Sequence, residues 1–294
     1  MSVRGSSVPD RLGLALIYLI MLLSMLICLY PVVLIISISI SDPINVMARN
    51  VYLWPKGFSL EAYTYVMNDA ILWTGYANTV FYTVVGTVIN VTLTTLAAYA
   101  LSRRTFVLKN PVMIFITVTM FFNGGLIPSF IINSKLGLYN SRLALLLIGA
   151  VSAYYIIVSR TFFQTIPESL HESAYIDGAG EFVIFKNIFL PLSMPILAVL
   201  ILFYAVGHWN SYFNAMIYIT DQSKQPVQLY LIRLVKEGNL GSMQLEGAED
   251  ARREMMKLQL KYSIIVLVML PIIVIYPFLQ KYFVKGVMIG AIKQ

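Results

Sequence analysis

An all-α membrane protein is the fold class this sequence predicts, and three observations lead there. Of 294 residues, 59% are hydrophobic and 12% charged, with mean hydropathy +0.77, whereas a soluble domain carries roughly a quarter charged residues. The apolar residues come in blocks near or above ~18 residues, long enough to cross a hydrocarbon core of about 30 Å as helices. The alternating pattern of an outer-membrane barrel is missing, and a segment in lipid must satisfy its own backbone hydrogen bonds, which leaves helices. Six blocks, at about 12–38, 76–101, 111–131, 140–159, 191–217 and 263–282, predict six transmembrane helices. No linker, charge block or internal repeat divides the chain, so 1–294 reads as a single membrane domain.

The first block is an apolar run of about 27 residues, too long for a signal-peptide core of roughly 7–15, and no A-x-A-like site follows it. It reads as an uncleaved first helix. The single cysteine, Cys28, lies inside it, which leaves no disulfide framework and no cysteine-based metal site. Segment 39–75 follows, where Ser59 before Glu61-Ala62 suits the start of a short helix, its oxygen accepting an unpaired backbone N–H. An even number of spans puts both termini on one side. The short loop 102–110, with Arg103, Arg104 and Lys109, places that side in the cytoplasm. Segments 39–75 and 218–262 then lie outside. The net charge of +7 belongs to this topology and does not imply nucleic acid.

Span three ends in Asn123-Gly124-Gly125 and Pro128, which should distort or stop the helix; Pro271 and Pro277 pose the same question in span six. The outer loop 218–262 is long enough to suggest function. Its second half reads as a helix running into span six, with Ala248, Ala251, Met255, Leu258 and Tyr262 on one stripe. Glu249 with Arg253, and Asp250 with Glu254 and Lys257, occupy its charged faces.

No chemistry of an enzyme is visible. There is no G-x-x-x-x-G-K-[ST] loop; His171-Glu172 lacks the second histidine of H-E-x-x-H because position 175 is tyrosine. No nucleophile elbow G-x-S-x-G adjoins either histidine, His171 or His208. No catalytic residue, metal or cofactor of its own is expected. The span interiors hold no Asp, Glu, Lys or Arg, and His208 is the one ionisable group at depth. Ion-coupled carriers usually need such groups, so a secondary sugar transporter is the weaker alternative and the drive should come from outside the chain.

The most informative segment is a polar island. Glu172-Ser173-Ala174-Tyr175-Ile176-Asp177-Gly178 is followed, nine residues on, by Ile188-Phe189-Leu190-Pro191. Pro167 suits a first helical position, residues 168–176 can form a short helix, and Gly178 can take the positive φ that ends it. Glu181 to Phe189 can form a second helix, with Pro191 opening span five. The product is a helix–turn–helix over 168–190, with small Ser173 and Ala174 letting a partner approach closely and Glu172 available to a basic group.

This spacing resembles the EAA signature of ABC importer permeases at every element, with Ser173 standing where alanine is usual. Asp177-Gly178-Ala179, Phe185 and Leu-Pro-Leu-Ser-Met-Pro resemble the maltose-type oligosaccharide permeases. Gly124-Gly125-Leu126-Ile127-Pro128 and Leu136-Gly137-Leu138 resemble the branch handling aldouronates, pectin fragments or alginate. The resemblance implies a multi-pass permease of a bacterial cytoplasmic membrane that moves oligosaccharides inward. It implies a second homologous permease, two ATPase subunits that bind ATP-Mg, and an extracytoplasmic solute-binding protein. Glu172, Ser173, Ala174, Asp177, Gly178, Ala179, Leu190 and Pro191 would couple to the ATPase, and the tail Gly286, Gly290 and Lys293 would approach it. The span-five cluster Tyr204, His208, Trp209, Asn210, Tyr212 and Asn214 suits sugar rings. Trp209 lies 18 residues beyond Pro191, about 27 Å of helix, a depth that equally fits the outer aromatic belt.

Overall fold

The computed structural model describes the backbone of residues 8–237 and 250–291, and the side chains of 11–234, 256–275 and 277. Every regular element among the described residues is helical, and the one extended pairing is an isolated bridge between Ser41 and Phe58. The order is α1 (Val8–Ser39), α2 (Pro43–Met47), α3 (Glu61–Met67), α4 (Ala70–Ser102), α5 (Lys109–Phe121), α6 (Leu126–Lys135), α7 (Arg142–Leu147) and α8 (Ala153–Phe163). Then come α9 (Glu168–Ile176), α10 (Glu181–Ile184), α11 (Leu190–Leu192), α12 (Met194–Trp209), α13 (Phe213–Tyr218), α14 (Val227–Glu237) and α15 (Asp250–Ala291).

Among the described residues, three helices are long and apolar enough to cross a membrane: Arg11–Ser39, Ala70–Ser102 and Met256–Ile275. Two more candidates are bent pairs, α5 with α6 (119°) and Glu181–Leu192 with α12 (83°). The first bend falls at the expected Asn123–Gly125: Gly125 takes φ +85°, and its N–H donates to Asn123 Oδ1 at 2.9 Å. The block 140–159 is not one helix. Gly149 (φ +76°) and extended Ser152 interrupt it, and α8 runs past 159 to Phe163. Block 191–217 also breaks, at Asn210–Tyr212. Hydropathy registers apolar content and is blind to a few turned backbone residues within it.

The chain divides into two compact units. One comprises 1–69 with 233–269. There Asp42 caps α2, its carboxylate accepting from Ile44 N at 3.0 Å, and Ser59 Oγ accepts from Glu61 N at 3.4 Å, as the sequence suggests. Buried Gln259 reaches three backbone oxygens, donating to Ser41 O at 2.8 Å and to Ser39 O and Ser59 O at 3.3 Å each. Ser263 Oγ donates to Ser39 O at 3.2 Å, and Tyr63 OH to Ser39 Oγ at 2.7 Å. These bonds correct the expected stripe. The buried face is Met256, Gln259, Leu260, Ser263, Ile264 and Val268, while Leu258 is exposed. Gln259 and Ser263 turn inward to pair backbone carbonyls, which a count of apolar residues cannot anticipate. Ala248 and Glu249 lie outside the described residues, as do the side chains of Asp250, Ala251, Arg253, Glu254 and Met255.

The other unit comprises 70–232 with 270–294, and α4 is its axis. Asn78, Tyr82, Gly86, Asn90, Thr94, Ala98 and Ser102 recur every fourth residue and are all buried. Four residues advance about 400° round a helix of 3.6 residues per turn, so the seam drifts about 40° per step. Its successive residues therefore meet different neighbours, namely the segment 223–227, then α12, then the 160–190 region.

Candidate functional site

The α9 turn forms as its residues dictate. α9 ends at Asp177, and Gly178 follows at φ +81°. Ala179 N donates to Ala174 O (3.0 Å) and Gly178 N to Tyr175 O (3.0 Å), pairing the last carbonyls in a Schellman turn. Pro167 stands one position earlier than expected, as the capping residue before Glu168. The second helix is α10, which widens into a π turn over Phe185–Phe189 before α11. Pro191 therefore does not open span five. It sits in α11, ahead of the 83° corner, and Pro195 takes the place near the start of α12.

The turn offers one face and anchors the other. Glu172, Ser173, Asp177 and Gly178 are exposed, together with Tyr175 and Ile176, while Ala174, Ala179 and Leu190 are half-buried. These three pack on a cluster of Ala98, Tyr99, Phe163, Ile166, Ile184, Phe185 and Phe189. Pro191 is exposed.

A polar clamp reinforces the anchor, made by residues outside the signature. Tyr99 OH donates to Glu181 Oε2 at 2.6 Å, and His171 Nε2 lies 3.1 Å from Glu181 Oε1. Arg103, the first cation of the loop 102–110, is 5% exposed. Its guanidinium carbon stands 4.3 Å over the Phe189 ring and 5.1 Å over Tyr99, and Nη1 is 3.7 Å from Glu168 Oε1. Such a stacked, desolvated cation is stabilised by the ring quadrupoles as well as by the carboxylate. Partial burial works to raise the Glu181 pKa. The hydrogen bonds from Tyr99 and His171 outweigh it, helped by positive charge at His171 and Arg103, and hold the carboxyl below its usual range. Arg160 Nε donates to Leu101 O at 3.0 Å, closing the end of α4. A cavity of about 470 Å³ opens beside the clamp, between Leu96, Tyr99 and Arg103 on one side and Glu181, Phe182 and Phe185 on the other.

The span-five cluster divides in two. Tyr204, His208 and Trp209 turn inward. Tyr204 OH is 2.7 Å from Thr94 Oγ1, and His208 Nε2 donates to the Asn90 amide oxygen at 2.9 Å. The Asn90 nitrogen then donates to Gly86 O (2.8 Å) and Ala150 O (3.2 Å). Trp209 is 8% exposed and its ring lies 6.4 Å from Tyr76. Asn210 and Tyr212 are exposed and Asn214 half-buried. Of the tail, Lys293 lies outside the described residues, and Gly286 and Gly290 are described only as helical backbone within α15.

The start of the long segment 218–262 is fixed to α4. Asn78 Nδ2 donates to Ser223 O (2.7 Å) and Gln225 O (3.1 Å), while Arg142 Nη2 donates to Asn78 Oδ1 at 3.1 Å. Tyr82 OH donates to Lys224 O at 2.7 Å, and Val227 N to Thr79 Oγ1 at 2.9 Å. A Cβ at Gly75 would sit 3.1 Å from the Val227 backbone, a tighter approach than most side chains make. Sequence reasoning missed Asn78, Asn90, Tyr99, Arg103, His171 and Glu181 as a set. The four-residue spacing along α4 was the available signal for the first two.

Comparison with known proteins fits this arrangement. Residues 90–289 match the family described as binding-protein-dependent transport system inner membrane component. The chain belongs to this family. A polygalacturonan/rhamnogalacturonan transport system permease, YtcP of Bacillus subtilis, is 40% identical over 97% of this chain and 99% of its own length. The Bacillus subtilis protein LplC is 36% identical, covering 91% and 90%. A chain in the crystal structure of a bacterial ABC transporter involved in the import of the acidic polysaccharide alginate superposes with TM-score 0.88. It is 34% identical, covering 96% of this chain and all of that one. This binding-protein-dependent inner membrane component is thus the permease subunit of an ABC importer, a transport subunit whose drive comes from ATPase partners.

Proposed function

We propose that this permease forms a pore with a second, related permease and admits acidic oligosaccharides, fragments of the polygalacturonan or alginate type, to the cytoplasm. Two ATPase subunits sit beneath the pore and a solute-binding protein docks above. The chain crosses the membrane six times with α7 and α8 together counted as one span, both termini in the cytoplasm. α9 and its turn dock in the ATPase through Glu172, Ser173, Ala174, Asp177, Gly178 and Ala179, backed by Leu190 and Pro191. Gly286, Gly290 and Lys293 approach the same subunit. Segment 218–262 meets the binding protein, and Asn210, Tyr212 and Asn214 contribute to the sugar path, with Tyr204, His208 and Trp209 holding them in place. One observation carries the docking reading: a Schellman turn whose exposed face carries Glu172, Ser173, Asp177 and Gly178, fastened by its other face to the end of a spanning helix.

The test is ATP-driven uptake by the reconstituted complex. Oligogalacturonides and alginate oligosaccharides are offered beside neutral malto-oligosaccharides, with the binding protein present. Saturable uptake of a uronate oligosaccharide that stops when the ATPase subunits are omitted is the expected result. Uptake confined to the neutral sugar would overturn the substrate class, and uptake without the ATPase would overturn the coupling.

A further inference from the structure

α4 is gripped at both ends, and the grips are a membrane thickness apart. At one end Tyr99 OH holds Glu181, and Arg103 lies against Glu168 and the Phe189 ring. At the other, Asn78, Thr79 and Tyr82 bond the backbone of Ser223, Lys224, Gln225 and Val227. Asn78 and Tyr99 are 21 residues apart, about 31 Å along a helix, close to the ~30 Å hydrocarbon core. Of the three helices long enough to cross, α4 alone contains no proline; α1 has Pro31, and α15 has Pro271 and Pro277. Its ladder of backbone bonds is therefore uninterrupted by the commonest source of kinks. A packed helix held this way moves as a body rather than absorbing a displacement at a joint.

We propose that Tyr99 and Arg103 are positioning residues of the transport cycle: they hold the α9 turn to α4, so that a displacement of the turn is delivered across the membrane to segment 223–227. This rests on reading the turn as the ATPase dock. Neither residue belongs to the signature, and neither is exposed enough to meet the ATPase itself; Tyr99 is 7% and Arg103 5% exposed. Their chemistry suits a tie rather than a contact. The Tyr99 ring is fixed among Phe163, Phe185 and Phe189 at centroid distances of 5.0–6.4 Å. Its hydroxyl is left with a single short bond to a carboxylate, and a charge-assisted bond of this kind is about twice as strong as a neutral one.

The test reads the far end of α4. Ser223 is exposed; its carbonyl takes the Asn78 bond, and its hydroxyl donates only to the neighbouring Asp221 at 2.7 Å, so Ser223→Cys in a Cys28→Ala background keeps the carbonyl grip and reports by its rate of reaction with a membrane-impermeant maleimide. The full complex in nanodiscs, where label and nucleotide reach both faces, is compared with and without ATP and vanadate. Nucleotide should change the labelling rate in the parent. Tyr99→Phe keeps the ring and drops only the hydroxyl; it should shrink that change by about tenfold, with ATP hydrolysis and ATPase co-purification kept. Arg103→Lys, a second variant that retains the charge, should act the same way because it loses the planar stack. Glu181→Gln keeps an acceptor for Tyr99 but removes the charge that strengthens the bond, and should give a response between those of the parent and Tyr99→Phe. A full nucleotide response in both Tyr99→Phe and Arg103→Lys overturns the proposal, and so does a parent whose labelling ignores nucleotide. The dock reading fails separately, if Gly178→Asp leaves co-purification and the nucleotide response intact.

Discussion

One methyl group at Gly86 should unsettle the middle of α4. A Cβ there would lie against three ring atoms of His208, namely Nε2, Cε1 and Cδ2, the last at 2.9 Å, inside the ~3.5 Å at which carbon contacts become favourable. The imidazole cannot simply swing away, because Nε2 is committed to Asn90 at 2.9 Å and Asn90 in turn holds Gly86 O and Ala150 O. Overpacking costs about 1–3 kcal/mol and the displaced hydrogen bond about 1 kcal/mol. Alanine returns about 1 kcal/mol of helix propensity. The balance is a loss of roughly 1–3 kcal/mol. A 2 kcal/mol loss corresponds to about 4–8 °C in unfolding midpoint for a chain somewhat smaller than this one. Fluorescence-monitored melting of the purified complex in detergent measures it. His208→Ala removes the obstructing ring, so the double variant Gly86→Ala/His208→Ala should be more stable than the sum of the singles by about 1–3 kcal/mol. A Gly86→Ala complex that melts with the parent, or a strictly additive double variant, would refute the close-approach argument.

Gly178→Asp should abolish sugar uptake while the permease still reaches the membrane. The space is open, with nothing within 4 Å of a Cβ, so the effect would come from the φ of +81° and the added charge; normal uptake by inserted protein would remove the turn from the coupling surface. For orientation, Val107 is 89% exposed whereas Ser102 is 6% exposed. Val107→Cys should resist a membrane-impermeant label in intact cells while Ser223→Cys accepts it, both in Cys28→Ala, and the opposite pattern reverses the topology. In the span-five cluster, Asn210→Ala and Tyr212→Ala should lower uptake with an unchanged melting midpoint. Trp209→Ala, buried beside Tyr76, should lower the midpoint through the roughly 3–5 kcal/mol stability loss typical of a buried Trp truncation; unchanged uptake in the Asn210 and Tyr212 variants would assign that end to the aromatic belt.

What is legible in the sequence is what neighbouring residues decide among themselves. Apolar run length marks α1 and α4. Gly125 breaks the third block because a positive φ is cheap for glycine, and Gly178 closes α9 for the same reason. The EAA spacing is local too, since it lies within one helix–turn–helix. What fails at α15 needs partners distant in sequence. Ser59, Ser41 and Ser39 determine which face of α15 turns inward, through Gln259, some 200 residues away. The block at 140–159 looks continuous to hydropathy, yet Gly149 and Ser152 turn it.

The same distinction explains why the clamp at the C-terminal end of α4 stayed hidden. Arg103 in a short basic loop reads as a topology signal, because positive charge near a span end usually serves that purpose. Its guanidinium instead lies between the Tyr99 and Phe189 rings and beside Glu168, residues separated from it by up to 86 positions. A cation so fully desolvated is tolerable only with a carboxylate and aromatic faces ready to receive it. The α9 turn supplies both, through Glu168 at its start and Phe189 in the helix that follows. Among the signature residues Ala174, Ala179 and Leu190 supply apolar packing against this cluster, and Tyr99, Arg103 and Glu181, outside the signature, add the polar ties. A motif search finds the face. The physical link from that face to the membrane-spanning helix lies in Tyr99, Arg103 and Glu181, and it becomes visible only when the chain is folded.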